Sequence, residues 1–166
     1  GKTFVDRNFE LNYKNSRLSS VPVGFYHFFR FNRDGKEQAQ NFLNTIRGKK
    51  TRLPLVVDVE EWGNVKVKST EKVVSELQIF VRLVELSTGK RMMIYTNESS
   101  YNRFIRGNFG RNDLWICSFN SKPNIDKRWT LWQHSHKGKF EGASGLVDLN
   151  TFNGSRDEWR QYLRKL

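Results

Sequence analysis

The strongest constraint on the fold is an alternation between short apolar runs and longer segments with helical periodicity. The run LPLVVDVE, residues 53–60, stays apolar without alternation until its end, as in strands that are buried on both faces of a parallel sheet. Helical patterns precede it at residues 34–48, where Asp34 is a capping residue, and follow it at residues 70–86. This order predicts an α/β fold built on a parallel sheet or a β/α barrel.

The rest of the chain continues the same pattern with shorter connections. Further helices are predicted at residues 4–13 and 99–107, and a capping box from Ser155 to Glu158 opens a terminal helix. Further strands are predicted at residues 21–31, 92–96, 114–119, 130–135 and 145–152. No internal repeat, low-complexity stretch or linker is evident, so residues 1–166 are predicted to form a single domain.

The charge and the cysteine count limit the classes of protein. A net charge of +12 favours polyanionic partners such as nucleic acid, an anionic membrane or an acidic cell-wall polymer. A nucleic-acid binder is disfavoured, because no basic stripe occurs with an RNP-type or helix-turn-helix signature. The sequence contains no apolar run of about 18 residues, so no membrane span is predicted. The one cysteine, Cys117, excludes an intrachain disulfide and is predicted to pack in a buried strand.

Two carboxylates end the buried strand at residues 53–60. Asp58 and Glu60 point the same way because side chains alternate along a strand, and their Cα atoms are about 6.6 Å apart. Neighbouring negative charge and apolar surroundings raise the proton affinity of one member of such a pair, as a general acid near neutral pH requires. Glu61 points the other way and is predicted to be structural. The alternative is that all three residues begin a solvated loop.

A third carboxylate and several aromatic residues also lie in strand patterns. Asp148 stands in the apolar run GLVDLN, where a turn or capping role is the alternative. The aromatic residues near strand ends could stack on sugar rings or simply fill the core, and nearby amides could bind hydroxyl groups. These candidates are Tyr26, Phe28, Tyr95, Trp115 and Trp132, with Asn97 and Gln133 as the amides. Strand-end carboxylates together with aromatic residues indicate a glycoside hydrolase.

The histidines do not predict a metal centre, and no cofactor is predicted. His134 and His136 would share one face of a strand, but zinc usually needs a third protein ligand, which the sequence does not nominate. The only other histidine is His27. No nucleotide-binding loop of the P-loop or G-x-G-x-x-G type is present.

Six segments in order along the chain resemble motifs of the glycoside hydrolase family 25 lysozymes. The two at the centre of the resemblance are LPLVVDVEE at 53–61, similar to the family's P-x-x-D-x-E strand, and GASGLVDLNTFNG at 142–154, similar to its G-x-VD-x-N-x-F ending. The others are GFYHFFR at 24–30, MIYTN at 93–97, LWICSFN at 114–120 and LWQHS at 131–135. Together they cover nearly the whole chain.

The resemblance implies an irregular, TIM-like β/α barrel that cleaves the β-1,4 bond between N-acetylmuramic acid and N-acetylglucosamine in peptidoglycan. It implies that Glu60 is the general acid/base, that Asp58 supports the acetamido group of the substrate, and that Asp148 is a further active-site carboxylate. It also implies retaining catalysis assisted by the substrate's own N-acetyl group. Sugar contacts are expected at Tyr26, Phe28, Tyr95, Asn97, Trp115 and Gln133. Action outside the cell or in the cell envelope is expected from the substrate.

The resemblance has one departure, at the start of the chain. The segment GKTFVDRNF resembles the part of the family that follows its first strand, first helix and second strand. We therefore expect a barrel that is incomplete at its N-terminus and lacks one active-site carboxylate of the family. Exposed strand edges are expected to promote self-association. An inactive module that binds peptidoglycan without cutting it is the alternative function.

Overall fold

The computed structural model describes residues 1–19 and 21–166. Its strands are β1 (Tyr26–Phe28), β2 (Val56–Val59), β3 (Met93–Asn97), β4 (Asp113–Cys117), β5 (Leu131–Gly138) and β6 (Val147–Phe152). Its helices are α1 (Phe9–Leu18), α2 (Gly35–Ile46), α3 (Thr70–Thr88), α4 (Glu98–Ser100) and α5 (Arg156–Arg164), with a π-helical turn at Tyr101–Ile105 after α4. No helix among the described residues has the length and apolar character needed to cross a membrane.

All six strands form one sheet in sequence order. Strands β1 to β5 are parallel, and β6 pairs antiparallel with β5. Helix α2 connects β1 to β2, α3 connects β2 to β3, and α4 with the π-helical turn connects β3 to β4. The predicted α/β class with a parallel sheet is confirmed, and the arrangement is that of a TIM-like β/α fold.

The helix boundaries that carry capping signals lie where the sequence predicts them. The Asp34 side chain accepts a hydrogen bond from the Glu37 N–H at the start of α2. Gly89 ends α3 in the left-handed conformation, with a φ of +67°. At α5 the Ser155 and Glu158 side chains each bond the backbone N–H of the other residue, completing the capping box.

Three predicted elements differ in extent. The helix predicted at 4–13 begins only at Phe9, because a turn in which the Asp6 side chain accepts from the Asn8 N–H comes first. The strand predicted at 21–31 is shortened to Tyr26–Phe28, because the Asn64 side chain takes over the backbone groups of the following residues. The helix predicted at 99–107 is divided between α4 and the π-helical turn.

The two faces of the sheet have different partners. The face toward α2 and α3 is apolar and belongs to one buried cluster, which includes Val57, Val59, Ile94, Leu114 and Ile116. The opposite face carries the polar and aromatic side chains, because successive residues of a strand point to opposite sides. This second face contains the candidate site.

Strands β1 and β6 are the two ends of the strand order, so among the described residues each is paired along one edge only. Several large apolar side chains near β1 are exposed, namely Phe4, Val5, Leu11, Leu18, Val21 and Tyr26. Open edges and exposed apolar groups both favour association, so self-association stays a prediction that the fold supports.

Candidate active site

The strand register brings the predicted site residues into adjacent rows. Phe28 is paired with Asp58, Asp58 with Tyr95, and Tyr95 with Trp115 across the four parallel strands β1 to β4. Two residues further along the strands, Asn97 is paired with Cys117 and Cys117 with Gln133. Since the residues of both rows have the same parity within their strands, their side chains lie on one face at the carboxyl ends of the strands.

A cavity of about 250 Å³ lies over these rows. It is lined by Tyr26, Val56, Asp58, Glu60, Tyr95, Trp115, Gln133 and Asp148. All the predicted catalytic and substrate-binding residues except Phe28 and Asn97 are therefore among its lining residues. Asn97 lies beside Glu60, to which its amide donates over 3.3 Å, and Phe28 lies half-buried next to Asp58 in the register. We call this cavity and its strand-end rim the groove.

The Asp58 carboxyl group is held in a costly environment. Its Oδ1 atom is buried without a hydrogen-bond partner among the described residues. Burial, and secondarily the charge of Glu60, raises the pKa of Asp58 from 3.8 to about 8. A buried oxygen without a partner in the folded protein can receive a hydrogen bond from a bound molecule.

Glu60 follows the last residue of β2 and reaches the same cavity. Burial raises the pKa of the Glu60 carboxyl group, and the hydrogen bond from Asn97 partly opposes that rise. The backbone C=O of Glu60 accepts a hydrogen bond from the Asn64 side chain over 2.8 Å, which fixes the chain directly after β2. The result is a pair of carboxyl groups with raised pKa values, which lie on one face at the end of β2.

Asp148 comes to the groove from the far end of the sheet. Its side chain is exposed on β6, whose pairing with β5 shifts register twice, between Gln133 and Ser135 and between Ser135 and Gly138. Such irregularities bend a strand and re-aim its side chains. The Trp115 indole N–H donates to Asn150 Oδ1 over 2.8 Å, and this bond ties β6 to β4 across the groove.

The groove wall contains a hydrogen-bonded aromatic unit. The Tyr95 hydroxyl donates to Gln133 Oε1 over 2.5 Å, and the Tyr95 and Trp115 rings meet edge to face at 5.1 Å between centroids. Burial is the main cause of a raised pKa at the Tyr95 hydroxyl, which keeps this group protonated as a donor. An aromatic wall with a fixed polar contact suits a sugar ring, which has both C–H faces and hydroxyl groups.

The structure decides the open alternative for Trp132 and places Cys117 differently from the prediction. Trp132 packs against the apolar cluster on the other face, with its N–H donating to the Ser118 carbonyl, so it is a core residue and not a groove residue. Cys117, assigned to packing, is half-buried on the groove face beside Tyr95, and burial raises the pKa of its thiol. The sequence signal for this position is the spacing of two residues between Trp115 and Cys117, which puts both side chains on the same face of β4. Glu61 points away from the groove and pairs with Arg103, in agreement with a structural role.

The histidines are dispersed into aromatic contacts. His134 lies against the Trp132 ring and His136 against the Phe119 ring. His27 is buried among phenylalanines, and burial lowers its pKa to about 4. In the part of the chain that the structure describes, no three side chains of the His, Cys, Asp and Glu types are grouped so that they could hold a metal ion.

Chemistry and not size identifies the site. A depression of about 530 Å³ between α2 and the end of α3 is larger than the groove, but it has no carboxylate among its lining residues. The groove combines three carboxyl groups, aromatic rings and a buried amide at the strand ends where β/α folds place their active sites.

Comparison with known proteins agrees with this geometry. The profile of Glycosyl hydrolases family 25 matches residues 1–143. The YegX protein of Escherichia coli O157:H7 is 34% identical over 165 residues, which are 98% of this chain and 60% of YegX. The chain thus spans about 60% of the length of the curated relatives of this kind that it matches.

Solved structures show the same fold. A family 25 glycosyl hydrolase from Bacillus anthracis superposes with a TM-score of 0.85 at 32% identity, covering 97% of this chain and 77% of that one. A bacterial lysozyme from Streptomyces coelicolor superposes with a TM-score of 0.83 at 31% identity, covering 95% and 79%. The chain belongs to glycosyl hydrolase family 25.

Proposed function

We propose that the chain is a muramidase, a lysozyme that hydrolyses the β-1,4 bond between N-acetylmuramic acid and N-acetylglucosamine in peptidoglycan. The observation that carries the proposal is the pair Asp58 and Glu60, both with raised pKa values, on one face of an aromatic-walled groove. Membership of the family and the similarity to a bacterial lysozyme support it. Since peptidoglycan lies in the cell envelope, we propose that the protein acts there or outside the cell.

Glu60 is the general acid/base of this proposal. Burial raises the pKa of the Glu60 carboxyl group, which favours the protonated form. In the proposed mechanism this form gives its proton to the glycosidic oxygen as the bond between that oxygen and the anomeric carbon breaks. After the leaving sugar departs, the Glu60 carboxylate takes a proton from the water molecule that attacks the anomeric carbon. The Asn97 amide holds one Glu60 oxygen during both steps.

Asp58 positions the acetamido group of the substrate. The acetamido oxygen bonds to the anomeric carbon while the glycosidic bond breaks, and water then displaces that oxygen, so two inversions retain the configuration. The buried Oδ1 of Asp58 is a fitting acceptor for the acetamido N–H, because it has no other partner among the described residues. Asp148, which reaches the groove from β6, adds negative charge that stabilises the cationic character of the transition state.

The test is digestion of purified peptidoglycan, with new reducing ends identified by mass spectrometry. We expect N-acetylmuramic acid reducing ends from the wild type and a loss of at least about 10²-fold with Glu60→Gln, as for removal of a general acid. Glu61→Gln is the matched control, because Glu61 is the neighbouring carboxylate and points away from the groove. Equal activity of Glu60→Gln and Glu61→Gln would contradict the role of Glu60.

A glycan-binding module that does not cleave is the second candidate. Tyr26 lines the groove but is 70% exposed on the terminal strand β1, so the groove is open to solvent beside this residue. Co-sedimentation of the folded wild type with peptidoglycan, without release of reducing ends, would favour this candidate over the muramidase. The net charge of +12 would favour retention on an anionic cell wall in either case.

A further inference from the structure

A tight turn directly follows Glu60 and carries an exposed tryptophan. The Asn64 N–H donates to the Glu61 carbonyl over 3.1 Å, which closes a four-residue turn from 61 to 64. Gly63, at the third position of the turn, has a φ of +75°, a left-handed conformation that glycine adopts without steric cost. Trp62 is at the second position and is 80% exposed, whereas the other four tryptophans are buried or half-buried.

The turn is fixed at both of its ends. At the C-terminal end the Asn64 amide donates to the carbonyls of Phe29 and Glu60, and its oxygen accepts from the Phe31 N–H. At the N-terminal end Glu61 pairs with Arg103. Its backbone N–H also donates to the Ser100 hydroxyl. A turn held in this way presents Trp62 in one place and at little further cost in conformational entropy.

The turn also borders the groove. A Cβ built on Gly63 would lie 3.3 Å from the Phe28 ring, so the turn stands against that ring. Phe28 is the register partner of Asp58. The Arg30 guanidinium lies 5.7 Å from the centre of the same ring and donates to the Gly63 carbonyl. Phe28, Arg30 and the turn therefore form one rim on the β1 side of the carboxylates.

We propose that Trp62 is a stacking platform for a pyranose ring, and that it forms a glycan subsite on the β1 side of the groove beside Glu60. The indole offers a rigid apolar face with a polar N–H, which matches a sugar that has an apolar C–H face and a hydroxyl rim. Trp62 is exposed and contributes little to the core, so its indole is accessible to a ligand. This inference rests on the proposed function, because it names the part of the glycan chain that the groove holds.

The test uses a Glu60→Gln background, in which binding is measured without cleavage. The probe is a peptide-free hexasaccharide of alternating N-acetylglucosamine and N-acetylmuramic acid, titrated by calorimetry. We expect Trp62→Ala to weaken binding about five- to tenfold, as for loss of one aromatic stacking contact. Trp62→Phe should retain most of the affinity, since it keeps an aromatic face. Leu86→Ala is the control, because Leu86 is also large, apolar and exposed but lies on α3.

A second readout follows the indole itself. Trp62 is the accessible tryptophan, so acrylamide should quench part of the fluorescence, and bound hexasaccharide should protect that part. The protection should be absent in Trp62→Phe. In the cleaving protein, Trp62→Ala should raise KM and leave kcat nearly unchanged, which is the result of lost uniform binding.

The outcomes separate the two proposals. The Glu60→Gln protein could bind the hexasaccharide equally well with and without Trp62→Ala, and the bound sugar could give no protection from acrylamide. That result would overturn the subsite and leave the muramidase proposal standing. An equal loss in Trp62→Ala and Trp62→Phe would also overturn it, because stacking would not explain the effect. Failure of the folded Glu60→Gln protein to bind any glycan, together with no cleavage by the wild type, would overturn the proposed function and the subsite with it.

Discussion

Asp58 keeps a proton in the folded protein that it would lose in the unfolded chain at neutral pH. Its pKa of about 8 lies well above the ordinary value of 3.8, so between these two pH values the folded state binds more protons than the unfolded state. Stability from this residue is therefore highest below about pH 4 and declines as the pH rises toward 8. The fold tolerates this cost at a position where the proposed chemistry needs a carboxyl group.

Replacement of Asp58 should accordingly stabilise the protein at high pH. We expect Asp58→Asn to increase the free energy of unfolding at pH 8 by about 2 kcal/mol, since each pKa unit corresponds to about 1.4 kcal/mol and solvent in the groove offsets part of the shift. At pH 4 the difference should nearly disappear. Denaturant titration at both pH values measures it, with Asp148→Asn as the exposed control in the same groove. A difference that does not depend on pH would contradict the assignment.

The sequence is enough to predict that Asp58 and Glu60 share one face of the sheet, but it does not predict the whole site. The period of two along a strand places these carboxylates on one face, and the structure has them there. The approach of Asp148 depends on two register shifts in the β5–β6 pairing, which leave no local signal. The anchoring role of Asn64 is also invisible in sequence, because its partners Phe29 and Phe31 are more than 30 residues away.

At the scale of elements, the Asn64 side chain replaces strand pairing directly after β1. Asn64 bonds two backbone groups of the segment after β1, the Phe29 carbonyl and the Phe31 N–H, and also the Glu60 carbonyl after β2. We expect Asn64→Ala to destabilise the fold by about 1–3 kcal/mol, because it leaves partly buried backbone groups without partners. Thermal unfolding measures the loss. Asn44→Ala, which removes an exposed amide on α2, is the control and should change stability far less; equal effects would contradict the anchoring role.

Element prediction succeeded where local signals decide and failed where distant contacts do. Capping residues set the starts of α2 and α5, and Gly89 sets the end of α3, all within a few residues of the signal. The end of β1 is set instead by Asn64, far along the chain. The π-helical turn has a backbone bond from the Arg106 N–H to the Tyr101 carbonyl, a pattern that helical periodicity does not distinguish.

At the scale of the whole molecule, the buried cluster draws on residues from Phe25 to Trp129. Its continuity supports the prediction of a single domain, which a single cooperative unfolding transition would test. The open β1 edge and its exposed apolar neighbours support the prediction of self-association, with a second copy of the chain as the partner. The charge of +12 opposes contact between copies, and salt screens that repulsion.

Association should therefore increase with salt. We expect sedimentation velocity to show a larger fraction of dimer at about 0.5 M salt, where screening is strong, than at about 0.05 M. Phe4→Lys should suppress the dimer, because Phe4 is exposed and lines the same depression as Tyr26. Leu86→Lys adds the same charge on α3 and should have a smaller effect. A monomer at every salt concentration would contradict the prediction.

The antiparallel strand β6 divides the groove between two parts of unequal rigidity. Asp58 and Glu60 lie in and directly after β2, a buried internal strand of the parallel part of the sheet, while Asp148 lies on a terminal strand whose residues are mostly exposed. Exposed, peripheral hairpins open locally at a lower free energy than central strands. We therefore expect gentle warming to open β6 locally, and to move Asp148 away from the other two carboxylates, below the temperature of the single cooperative transition of the core. The highest temperature at which all three carboxylates line the groove is then set by the opening of the β5–β6 hairpin and not by the unfolding of the whole protein.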